Sequence, residues 1–136
     1  MVASQGHGSH YFVMKNREFK LNAVDWLASP GLSMASPAAR GVWIDLLCGM
    51  WLSDRPGYLI LRENGPAPSI SQIAKMCRTT VPVARDCIAE LIHYGVLSTS
   101  PEGVIFSRRM ISDVVAMEKA VKNGRKGGNP RLKSKR

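Results

Sequence analysis

The sequence predicts an α+β fold, a helical core with one small β-hairpin and a flexible basic C-terminal tail, and three observations carry that prediction. Helix-capping residues (Ser36, Ser69, Thr80) each stand just before apolar residues that recur at three-to-four spacing. Beyond Gly95 the pattern changes to two β-favouring runs, VLST and VIFS, on either side of Ser100-Pro101-Glu102-Gly103. The last fourteen residues, NGRKGGNPRLKSKR, hold six Lys or Arg, no acid and only Leu132 as a large apolar side chain, too little to build a core.

Residues 1 to 18 have no periodicity and read as a disordered or loosely docked segment. FKLNAVDWLASPGL follows, where Phe19, Leu21, Val24, Trp26 and Leu27 suffice for a packed arm and Pro30-Gly31 closes it as a turn. Ser36-Pro37 pairs an N-cap with Pro at the first helical position. In the AARGVWIDLLCGMWL that follows, Ala39, Trp43, Leu46, Leu47, Met50 and Trp51 form a stripe that Val42, Ile44 and Cys48 widen, as expected of a buried central helix. SDRPG breaks the pattern, and YLIL at 58 to 61, between turn residues, predicts a short strand.

Ser69-x-x-Gln72 has capping-box spacing and opens a short helix over 70 to about 77. RTT is a tight connection, after which Thr80 caps a third helix with Pro82 in its first turn and Gly95 at its end; Ala84, Cys87, Ile88 and Leu91 are its core stripe. Pro second and Gly fourth in SPEG signal a hairpin turn. The final helix, RRMISDVVAMEKAVKN, aligns Met110, Val114, Met117 and Val121 and stops at Gly124. Helix, strand, helix, tight turn, helix, hairpin, helix is the order of a winged helix-turn-helix, the hairpin being the wing. The expected layout is thus an N-terminal segment to 18, a winged-helix domain with an N-terminal arm over 19 to 122, and a flexible basic tail over 123 to 136.

A chain of 136 residues, 45% apolar and 21% charged, has material for one domain and its tails. Its charge is uneven. Residues 1 to 118 hold 11 basic and 10 acidic side chains, and residues 119 to 136 hold 8 basic and none acidic, which together make the formal +9. An acidic polymer or membrane surface is the partner class such an end suits; a merely solubilising tail is the alternative. Cys48, Cys77 and Cys87 are odd in number, lack CxxC spacing and fall on apolar helix stripes, as expected of small buried hydrophobes in a reducing compartment. The start of the chain lacks the pattern of a signal peptide and no apolar run is long enough to span a bilayer, so the expected location is cytoplasmic. His7 and His10 form an HxxH pair in a Gly/Ser-rich start without a third ligand; no metal or cofactor is expected.

DWLASP at 25 to 30, AARGVWIDLLCGMW at 38 to 51, GYLILRENGPAPSISQIAKM at 57 to 76, ELIHYGVLSTSPEGVIFSRRM at 90 to 110 and NGRKGGNPRLK at 123 to 133 resemble a family of phage and prophage proteins. The family is related to phage replication-initiation (replisome-organiser) N-terminal domains, and the resemblance runs from about Phe19 to Lys133. It implies a winged-helix fold and DNA-related work in a mobile element, and carries over no catalytic or base-reading motif. Relatives acting in replication usually continue into a further domain.

On the third helix, the face opposite the core stripe carries Pro82, Asp86, Ala89 and His93, flanked by Arg85 and Glu90. Asp86 and Glu90 suit it poorly to phosphate, with Arg85 and His93 as the compensating groups. Better-placed candidates are Arg78, Thr79 and Thr80 in the helix-turn-helix turn and Arg108 and Arg109 after the wing. Lys119, Lys122, Arg125, Lys126, Arg131, Lys133, Lys135 and Arg136 extend the set, on a segment that Gly124, Gly127, Gly128 and Pro130 keep from continuing as helix. Ile111 and Val115 form a second apolar face on the last helix, suited to the N-terminal arm or to a second copy. GRKGGN lacks phosphate-loop spacing, and no catalytic triad or HExxH occurs, so no enzymatic activity is expected. The sequence thus points to a DNA-binding protein acting in replication initiation, with duplex favoured over single strands and replication proteins as further partners. An interaction adaptor or a small transcriptional repressor are the alternatives.

Overall fold

Ser36 opens the helix around which the rest is built. Its hydroxyl accepts from the Ala39 N–H, Pro37 takes the first helical position, and the helix runs Pro37–Trp51. The computed structural model describes residues 17–62 and 65–127, those after 124 by backbone alone. In chain order its elements are α1 (Ala23–Ala28), α2 (Pro30–Met34), α3 (Pro37–Trp51), α4 (Ile70–Met76), α5 (Val81–His93), β1 (Ser98–Thr99), β2 (Ile105–Phe106) and α6 (Arg108–Gly127). The architecture is α+β: helices around one core, with a single two-stranded antiparallel sheet.

The core is centred on α3, which buries Ala39, Val42, Trp43, Leu46, Leu47, Met50 and Trp51. Leu46, Met50, Leu59 and Leu91 are fully inaccessible, and each such side chain contributes about 1.5–3 kcal/mol by leaving water. α5 packs on both α3 and α4, presenting Ala84, Cys87 and Leu91 with Ile88 half-buried beside them, as its stripe predicts. α4 begins with a complete capping box: Ser69 Oγ accepts from Gln72 N–H, and Gln72 Oε1 accepts from Ser69 N–H at 2.8 Å. α6 contributes Met110 and Val114 to the core, with Met117 half-buried and Val121 exposed. The hairpin pairs Ser98 with Phe106 and Thr99 with Ile105. Its turn closes through Gly103 N–H to Ser100 O, 2.9 Å, and Ser100 N–H to Val104 O, 2.8 Å.

Four sequence expectations are corrected. Pro30-Gly31 is not a closing turn: Ser29 caps α2, Pro30 opens it, and Gly31 lies where a Cβ would come within 2.6 Å of the Tyr94 carbonyl oxygen. YLIL is not a strand. Tyr58 makes one antiparallel bridge with Phe106 and Leu59 N–H donates to Ile105 O at 2.8 Å; a two-residue strand offers no longer edge, and Leu59 is drawn into the core. Cys48 is exposed, because it shares the outward line of α3 with Gly41 and Asp45, whereas Cys77 and Cys87 are buried. The last helix runs through Gly124 to Gly127. A glycine costs a helix only about 1 kcal/mol, so Gly124 weakens the helix without ending it.

Among the described residues no helix is long and apolar enough to cross a membrane, and no cluster of metal-ligating side chains occurs. The His7/His10 pair lies outside them.

Candidate nucleic-acid interface

The outer face of α6 gathers several cations on one helix. At 100° per residue, Arg108, Ser112, Val115, Lys119 and Lys122 fall within about 80° of one another, opposite the buried Met110/Val114/Met117 stripe. All but Val115 are polar, and the two acids of the helix, Asp113 and Glu118, lie off this face. Arg108 to Lys122 spans about 21 Å at 1.5 Å per residue. Position 126 continues the same register. Arg131, Lys133, Lys135 and Arg136 lie outside the described residues, as do the side chains of Arg125 and Lys126.

Arg108 and Arg109, adjacent in sequence, have different surroundings. Arg108 is exposed on the basic face. Arg109 is engaged: its Nη2 lies 2.7 Å from Asp25 of α1 and its Nε 3.7 Å from Asp113, so it ties the N-terminal arm to α6. Both Arg109 partners are half-exposed, and such a pair is worth little in stability while leaving the guanidinium largely neutralised. Ser107 caps α6 through its hydroxyl, which accepts from Met110 N–H at 3.1 Å. Ile111, expected on an open second face, packs against the turn at Gly57; a Cβ there would come within 2.5 Å of Ile111 Cγ1. Val115 alone remains exposed from that pair.

Arg78 occupies the only non-glycine position with positive φ among the described residues, at 57°. It follows the C-cap of α4, where Arg78 N–H donates to Lys75 O (3.1 Å) and Thr79 N–H to Ala74 O (2.9 Å), the two bonds of a Schellman stop usually completed by glycine. Its guanidinium lies 3.2 Å from Asp45 of α3 with the side chain 79% exposed. Thr80 caps α5, its hydroxyl accepting from Val83 N–H at 3.3 Å, so its first role is structural.

The outward face of α5 carries Pro82, Val83, Arg85, Asp86, Ala89, Ile92 and His93, all exposed. His93 meets Tyr94 edge-on at 4.8 Å. Glu90 does not belong to this face. Its carboxylate turns onto Ser36, accepting from the backbone N–H and, at 2.9 Å, from the hydroxyl, and so sits at the N-terminus of α3. The acid nearest any ligand on α5 is therefore Asp86 alone.

Two further cations escaped the sequence reading. Arg40 is structural: it donates to the carbonyls of Leu32 (3.4 Å) and Ala35 at the end of α2. Arg55 is exposed, its Cζ 4.3 Å from the centroid of the Tyr58 ring, which in turn lies 5.7 Å from Phe106 at an interplanar angle of 36°. An Arg three residues before a Tyr, in the turn RPGY, is the only sequence signal for that stack.

Cys77 has its thiol pushed up to about 11, first by burial and then by Asp45, while Cys48 and Cys87 are raised in the same direction by burial and nearby carboxylates. These thiols stay protonated and are poor nucleophiles at neutral pH. No protein-family model, curated protein or solved structure matches this chain.

Proposed function

We propose that the chain is a winged helix-turn-helix protein that binds duplex DNA chiefly through phosphates, and that it acts in replication initiation of a phage or prophage. The fold reading rests on α4 and α5 joined by a four-residue turn and packed on each other, with α5 against α3, and followed directly by the β1–β2 hairpin. The observation that carries the binding reading is the acid-free outer face of α6, where Arg108, Lys119 and Lys122 stand on a rigid element leading into the cationic end. Fixed cations on a helix contact phosphates without first paying to order a flexible segment. The replication role is what the resemblance to replisome-organiser N-terminal domains implies.

A second reading, an adaptor for replication proteins, is favoured by Val83 and Ile92, 42% and 48% exposed on the outward face of α5. That face is better suited to a protein than to phosphate. The deciding measurement is fluorescence anisotropy of full-length protein on a labelled duplex across a salt series. Lys119→Ala/Lys122→Ala should reduce the slope of log affinity against log salt by up to about 2, at roughly 0.9 per phosphate. An unchanged slope removes α6 from the interface; absence of duplex binding even at low salt favours the adaptor.

A further inference from the structure

The turn between α3 and the hairpin holds an aromatic group that neither the core nor the basic face requires. Its backbone is fastened independently of it. The buried Ser53 hydroxyl lies 2.8 Å from the carbonyl oxygens of both Arg55 and Tyr58 and accepts from Arg55 N–H at 3.2 Å. Gly57 N–H donates to Met50 O at 3.1 Å, Ser107 N–H to Gly57 O at 2.9 Å, and Tyr58 N–H to Arg55 O at 2.9 Å. Gly57 makes this packing possible, with φ at 101° and Ile111 pressed against its α-carbon. On this fixed support Arg55, Tyr58 and Phe106 form a continuous row, guanidinium over phenol and phenol beside phenyl, with Arg55 exposed and the two rings half-buried.

We propose that Arg55, Tyr58 and Phe106 form a stacking platform for an unpaired nucleobase, so that the DNA bound best carries a single-stranded segment beside duplex. This rests on the DNA-binding reading above. A base within a duplex already has both faces stacked and offers a protein only its edges; an unpaired base offers its face, and aromatic rings and guanidinium planes are the groups that accept it. The row also leads into the phosphate-binding surface. Phe106 is two residues from Arg108, within about 7 Å along the chain, where the basic face of α6 begins. Duplex phosphates on α6 therefore bring an adjoining single strand to the platform. The preorganised turn means that little conformational entropy opposes stacking.

The test uses full-length protein and three labelled DNAs: a blunt duplex, the same duplex with an oligo-dT overhang, and the same duplex with an abasic overhang carrying identical phosphates. The dT overhang should bind roughly 5- to 100-fold more tightly than the abasic one, the range that base stacking on aromatic side chains supplies. Tyr58→Leu should abolish the difference and Tyr58→Phe should preserve it. Arg55→Lys, at an exposed position that leaves folding intact, should reduce the difference while leaving the salt slope unchanged, because it keeps the charge and loses the plane. Equal binding of dT and abasic overhangs by the native protein overturns the platform and leaves the duplex reading standing. Failure to bind any of the three DNAs at low salt overturns the DNA-binding reading itself.

Discussion

Replacing Glu90 by Ala should unsettle the whole domain, whereas replacing Asp86, one turn away on the same helix, should not. Glu90 accepts from the Ser36 N–H and from the Ser36 hydroxyl at the start of α3, the helix that supplies most of the core. A hydrogen bond to a charged acceptor contributes about 1.5–3 kcal/mol, and a carboxylate at a helix N-terminus about 0.3–1 more. Glu90 is half-buried and both of its bonds go to one serine, so the contributions overlap and the loss should be about 2–3 kcal/mol. For an ordered body of roughly 100 residues that is a fall in Tm of about 8–20 °C. Asp86→Ala, at an exposed site with no such partner, should stay within about 0.5 kcal/mol. Urea unfolding followed by tryptophan fluorescence, with Trp43 and Trp51 buried in the core, reads both. Equal effects of the two substitutions, or a Glu90→Ala loss below about 0.5 kcal/mol, would refute the role given to this contact. The same measurement guards the DNA experiments, since an affinity lost through Glu90→Ala would otherwise pass for a lost base contact.

Truncation after Gly127 removes Arg131, Lys133, Lys135 and Arg136 and should lower the salt slope by no more than about 4; affinity titrations at several salt concentrations check this, and no change would make the extreme C-terminus a bystander. Arg78→Gly should leave thermal stability unchanged or raise it by up to about 1 kcal/mol, because relief of the left-handed conformation offsets loss of the exposed pair with Asp45. Duplex affinity should fall in the same variant, and a loss of stability without loss of affinity would make Arg78 purely structural. Iodoacetamide labelling followed by mass spectrometry should modify Cys48 first, as the exposed thiol. Cys77 should become reactive in the folded protein only as pH approaches about 11, since its raised value keeps the nucleophilic thiolate scarce below that.

What the sequence disclosed and what it concealed divide along the range of the interactions. Ser36-Pro37, Ser69-x-x-Gln72 and Thr80 were legible because a cap is a bond between residues three apart, and all three caps form as expected. The core stripe of α5 was legible because burial follows helical period, and Ala84, Cys87 and Leu91 are buried. Glu90 reads as a surface charge because its partner Ser36 is 54 residues away, and nothing beside Arg78 signals Asp45, 33 residues away. Cys48 sits on a helix apolar on nearly every side, where periodicity does not identify the outward line. Gly124 reads as a helix stop, yet a single glycine costs only about 1 kcal/mol, and α6 continues to Gly127.

The distribution of charge also bears on what kind of selectivity this chain can have. Contacts from Arg108, Lys119 and Lys122 to phosphates would position DNA without distinguishing one sequence from another. The outward face of α5, where base reading would take place, offers only Arg85, Asp86 and His93 among the apolar Pro82, Val83, Ala89 and Ile92, a small set for pairing with base edges. Discrimination, on the proposed reading, falls to the form of the DNA through the Arg55–Tyr58–Phe106 row. The two contributions respond differently to ionic strength: phosphate contacts weaken steeply with salt through counterion release, whereas stacking of a neutral base does not. Overall affinity would then fall with salt while the preference for an unpaired base beside duplex persists, which separates where the protein holds DNA from how it recognises it.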